Sequence, residues 1–161
     1  MLPPTSKEHY LTGMTAMNIP DPEGMTGDWH FQEAFFGWKD RKSRIFVAGI
    51  AGEYDTNGIL GNFGIKECAE ELKKMGVSVP ENQPVYTANH YRAILDLLYN
   101  CVQKGRYPYH IDIDDWLNTE SQQNFLLSMA QNFEQYLSNE AWEILDKWIK
   151  IQRKRLIDSN S

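Results

Sequence analysis

The stretch YHIDIDDW, residues 109–116, has the most chemical character in this chain. Extended backbone alternates its side chains, so His110, Asp112 and Asp114 would point to one side. An imidazole with two carboxylates there could hold a divalent cation or move protons as an acid–base set. A local use competes: Asp114 or Asp115 ahead of WLN stands where a helix N-cap stands, which commits a carboxylate to free backbone amides. With Ile111 and Ile113 turned inward, the acids would then sit in solvent. A metal site needs further ligands, and neither HExxH nor a paired ExxH occurs to supply them.

Gly58, Gly61 and Gly64 form a second candidate. They lie three apart between a strand-like segment and a helical one, and free amides at the start of a helix favour anions. The spacing is neither GxGxxG nor GK[ST], and Ile59, Leu60 and Phe63 between the glycines suit a loop folded onto a core. Asp28 and His30 flank Trp29 at i and i+2, so on a helix they would not face each other. His90 and Cys101 supply the residue types of a Cys–His pair and nothing further, and GxSxG is absent.

Charge gives a third candidate. From Tyr107 to Asp146 there are eight acidic residues and no lysine or arginine; Lys147, Lys150, Arg153, Lys154 and Arg155 then crowd the end of the last helix. Cations favour that end of a helix dipole. Joined by Lys39, Arg41, Lys42 and Arg44, they could instead form a patch for nucleic acid or an acidic partner. The net charge of −6 and pI near 5.2 weigh against a general polyanion binder. Each half carries 8 basic and 11 acidic residues, so no charged domain splits off.

Tryptophans make the fourth. Trp29 and Trp38 bracket a run with Phe31, Phe35 and Phe36. In the last helix Trp142, Leu145 and Ile149 share one face, while Ile144, Trp148 and Ile151 share another. That apolar surface is broad for one helix–helix contact. Such rings fill a core or grip a partner, because a large rigid ring buries much area at low entropy cost.

The elements that must position these residues follow from periodicity. With 161 residues, 42% of them apolar and 24% charged, a single domain with a substantial core is expected over 1–161. Residues 1–9 read as a flexible lead, and 12–19 as a short strand stopped by PDPEG. Asp28 is placed to cap a helix over WHFQEAFF that Gly37 ends. RIFVAGIAG (44–52) is the best strand, nearly continuous in hydrophobicity as if buried on both faces. IKECAEELKKMG predicts a helix with Ile65, Cys68, Ala69 and Leu72 on one face, closed by Gly76.

Residues 87–105 carry Tyr91, Ile94, Leu95, Leu98 and Val102 at helical spacing. Residues 119–137 open on a capping-box pattern, Thr119 with Gln122. NEAWEILDKWIKIQRKRL (139–156) follows after almost no loop, which predicts an antiparallel helix hairpin. The fold class expected is α+β: a small sheet of short strands from the N-terminal half packed against a mainly α-helical C-terminal half that ends in this hairpin.

Two cysteines without a CxxC pattern, no basic start with an apolar run, and no apolar stretch longer than IFVAGIAG point to a cytoplasmic protein away from membranes. The function expected is that of a non-enzymatic protein-interaction or regulatory protein, for example an antitoxin-like neutraliser. It would have a protein partner or a second copy of itself and no cofactor. The alternative is an enzyme on a phosphorylated or nucleotide-like substrate, with the glycine loop as anion cradle and His110, Asp112 and Asp114 as its acid–base or metal groups.

Overall fold

A four-stranded mixed sheet occupies the N-terminal half and the C-terminal half is mostly helical, in a computed structural model that describes residues 2–21, 35, 45–49 and 54–159. The architecture is α+β. The chain forms two compact units, Met1–Asp96 and Leu97–Ser161, with one helix continuing across the division.

The first unit contains β1 (His9–Leu11), α1 (Gly13–Met17), β2 (Val47–Gly49), α2 (Asn57–Leu60), β3 (Ile65–Glu67), α3 (Ala69–Lys74), β4 (Tyr86–Ala88) and the start of α4 (His90–Gln103). Strand order is β2-β1-β4-β3. β1 runs antiparallel to β2, with Tyr10 opposite Ala48, and parallel to β4, with Leu11 opposite Thr87. β3 runs antiparallel to β4, with Lys66 opposite Thr87. The inner strands bury Tyr10, Leu11, Thr87 and Ala88.

Several elements differ from the sequence expectation, each for a tertiary reason. The first strand is 9–11 rather than 12–19. Beyond it Thr12 donates its N–H to the Phe46 carbonyl (2.9 Å) and Thr15 Oγ1 accepts from the Phe46 amide (2.8 Å), which bends the chain into α1 beside β2. β2 lies inside the expected 44–52 strand, but it stands at one end of the order of described strands and Val47 is only half-buried. The helix expected from Ile65 begins at Ala69, because Ile65–Glu67 pair with β4. Glu70 and Glu71 in its first turn and Lys73 and Lys74 in its last complement the helix dipole, and Gly76 at φ +85° ends it. Thr87 and Ala88 belong to β4, so α4 starts only at His90.

Leu2 is buried in a cluster with Leu11, Ile19, Phe35, Leu72 and Val85. Full burial of such side chains stabilises by about 1.5–3 kcal/mol each. Thr5 Oγ1 also accepts from the Tyr86 amide (2.9 Å), so part of the lead has defined contacts.

The second unit holds the rest of α4, α5 (Ile113–Trp116), α6 (Glu120–Gln131), a 3₁₀ turn at Asn132–Tyr136 and α7 (Asn139–Ser159). The capping box forms as read. Thr119 Oγ1 accepts from the Gln122 amide (3.1 Å) and Gln122 Oε1 accepts from the Thr119 amide (3.0 Å). α6 and α7 make the antiparallel hairpin, and the tighter 3₁₀ turn takes the last residues of the expected 119–137 helix. Among the described residues no helix is long and apolar enough to cross a membrane.

Candidate functional site

Charge and hydroxyl groups converge most densely around α4. Arg92 and Asp96 lie one turn apart, both 0% exposed, with Nε–Oδ1 at 3.2 Å. Arg92 Nη1 donates to the carbonyls of Gly61 (2.9 Å) and Phe63 (2.7 Å), and Nη2 to Thr56 Oγ1 (2.9 Å) and Asn57 Oδ1 (3.3 Å). Asp96 Oδ2 accepts from Tyr10 (2.7 Å) and Thr12 (2.8 Å), and Oδ1 from Thr56 (2.6 Å). The guanidinium carbon stands 5.1 Å from the Tyr10 ring centre.

Burial pushes the Asp96 carboxyl above its ordinary range, against Arg92 and the three hydroxyl donors. Burial, and then Asp96, likewise push the Tyr10 phenol up, which keeps it a neutral donor. A buried ion pair offsets its desolvation only when further hydrogen bonds complete it, as they do here. The arrangement clamps β1, residues 56–63 and α4 to one another. This cluster lies outside the candidates that residue spacing offers. Its signal is a charged i, i+4 pair inside the apolar run HYRAILDLL, the mark of a helix covered all round.

The glycine loop takes part in the same contacts. Gly61 and Gly64 adopt φ +57° and +74° and Gly58 sits within α2. The loop aims the Gly61 and Phe63 carbonyls at the Arg92 guanidinium. Its Gly61, Phe63 and Ile65 amides bond to Asn57, Leu60 and Asn62 carbonyls, and it leads into β3 instead of a helix. A Cβ on Gly64 would come within 2.6 Å of Asn89 Oδ1 and 2.8 Å of Arg92 Cβ, so glycine is required by the approach to α4.

The acidic candidate is also redistributed. The Tyr109 and Ile111 amides bond to the Tyr107 and Pro108 carbonyls, so the segment turns instead of extending. Asp112, not Asp114 or Asp115, caps α5. Its Oδ1 accepts from the Asp114 amide (3.1 Å) and its Oδ2 pairs with Arg155 (2.8 Å). His110 and Asp114 are exposed. Among the described residues no group of three His, Cys, Asp or Glu side chains is placed to hold a metal ion.

Of the basic residues, Lys150 pairs with Asp146 (2.8 Å), Arg155 with Asp112, and Lys147 stands over the Tyr107 ring, while Arg153 and Lys154 are exposed. Trp148 is completely buried and donates its indole N–H to the Ile111 carbonyl (3.0 Å), so it belongs to the core of the helical unit and not to a surface. Trp142 is half-buried. Trp29, Trp38, Asp28, His30, Lys39, Arg41, Lys42 and Arg44 lie outside the described residues. Phe35 is helical and buried.

Cys68 is buried, which pushes its thiol up to about 12. Cys101 is half-buried with Sγ 3.3 Å from the Arg106 carbonyl. His90 is buried with Nε2 2.8 Å from the Ile19 carbonyl and its own amide on Asp21 Oδ2 (2.8 Å), and burial holds its pKa below the usual value.

Among the described residues the helical unit carries an open groove of about 460 Å³. Tyr107 and Tyr109 form one wall, with ring centres 4.5 Å apart and planes tilted by 53°. Glu140, Glu143, Ile144 and Lys147 of α7 form the other. Tyr109 is 86% exposed. No family model, no curated protein and no solved structure matches the chain.

Proposed function

We propose that this is a non-enzymatic protein-interaction or regulatory protein of the cytoplasm, which works by occupying the surface of a protein partner or of a second copy of itself. An antitoxin-like neutraliser is the finer form of the same reading. The observation that carries it is the groove beside Tyr109. A rigid aromatic ring left in solvent beside an open, partly apolar hollow has the composition of an interaction hot spot.

Employment of the reactive groups supports it further. Arg92, Asp96, Tyr10, Thr12 and Thr56 satisfy one another inside the fold, and Asp112 is taken up by a cap and an ion pair. Affinity capture on the full chain in its native host, run beside Tyr109→Ala, tests the reading. A stoichiometric partner is expected with the native chain, and about tenfold less of it with the variant, the scale of a hot-spot truncation. A chain that stays monomeric and captures no stoichiometric partner overturns it.

A further inference from the structure

We infer that the Tyr107–Tyr109 groove receives arginine- or lysine-bearing segments of a basic protein partner; this rests on the interaction reading above and names its chemistry. Aromatic faces attract cations within about 6 Å of the ring centre. One ring of this groove already does so within the chain, for Lys147 Nζ stands 5.7 Å from the Tyr107 centre. The Tyr109 ring, exposed and tilted against Tyr107, offers a second site of the same kind to an incoming side chain.

The opposite wall completes the chemistry. Glu140 and Glu143 are exposed carboxylates for a guanidinium or ammonium head, and the half-buried Ile144 in the same lining suits its methylene stem. Glu140 also serves the N-terminal end of α7, but Glu143 lies a turn further in, where the helix dipole no longer accounts for it. The charged groups of the groove are Glu140, Glu143 and Lys147, and Lys147 already stands over the Tyr107 ring. The two exposed carboxylates beside the Tyr109 ring therefore favour a basic occupant.

A second copy is the weaker occupant. At net charge −6 the copies repel. Placing the basic end of one α7 in the groove of the next is also a head-to-tail contact, which forms open chains unless its rotation closes.

The test titrates the full chain at low salt with three acetylated, amidated peptides, GRGRGRG, GKGKGKG and the same peptide with citrulline for arginine. The arginine and lysine peptides are expected to bind and the citrulline peptide not to. Binding should weaken about threefold to tenfold in Tyr109→Ala and in Glu140→Gln/Glu143→Gln. Glu134→Gln, an exposed acid outside the groove, should leave it unchanged. Absence of binding, equal weakening by Glu134→Gln, or a native chain whose copies fill the groove in sedimentation overturns the assignment. Circular dichroism checks each fold, and Tyr109→Ala alone decides if the double variant unfolds. Should the peptides fail while a captured partner still depends on Tyr109, the basic-ligand assignment falls and the interaction reading stands. Peptide binding that depends on Tyr109, in a chain that captures no partner, does the reverse.

Discussion

Arg92 over Tyr10 and Lys147 over Tyr107 are one kind of contact in two solvents. The distances to the ring centres are similar, 5.1 Å and 5.7 Å. Their surroundings are not. Arg92 lies in a dry interior where an unmatched charge costs several kcal/mol, so hydroxyls, carbonyls and Asp96 close around it. Lys147 sits at an exposed groove, where water screens the pair to about 0.5–1 kcal/mol. A contact that weak exchanges readily with another cation. Burial thus decides whether the same residue types become structure or remain available to a partner.

The largest effect is expected at the buried pair. Asp96→Ala leaves the Arg92 guanidinium uncompensated and is expected to destabilise the chain by about 3–5 kcal/mol in denaturant unfolding. Arg92→Lys keeps the charge but cannot span the Gly61, Phe63 and Thr56 acceptors with one fork, so it should also destabilise. A midpoint within error of the native chain for either variant would mean the cluster is not a clamp.

Gly64→Ala sharpens the point, because it touches the loop that grips Arg92 without removing a charge. Strain at φ +74° and the crowding against Asn89 and Arg92 should destabilise by roughly 1–3 kcal/mol, read from the same unfolding curves.

The smallest effect concerns His90, buried with Asp21 and Lys66 as its charged neighbours. Its folded pKa lies below the ordinary 6.5, so the unfolded chain takes up the proton first as pH falls. His90's contribution is therefore full above about pH 6.5 and declines below it. Unfolding midpoints at pH 7.5 and 5.5 should differ more for the native chain than for His90→Gln. Equal differences would place the pH dependence elsewhere.

Legibility in the sequence followed the strength of local signals. The Thr119–Gln122 capping box was readable because it is complete within one segment. Strands of three residues carry too few positions for a period to register. Thr87 and Ala88 of β4 fell inside the segment 87–105 read as helical. The HIDID segment alternates like a strand, yet Asp112 prefers to cap α5 and pair with Arg155. Gly58, Gly61 and Gly64 were visible as a loop, while its ligand, a guanidinium 28 residues past Gly64 in the chain, was not. Trp142 and Trp148 looked equivalent. Only tertiary packing buries one completely and leaves the other half-buried.

Tyr109→Ala, measured for both folding and partner capture, tests most directly the claim that the groove is free for function. An exposed ring outside the core should leave stability within about 0.5 kcal/mol of the native chain. The expected result is that unchanged unfolding midpoint together with loss of the captured partner. A lowered midpoint, or a partner retained at native yield, would contradict it.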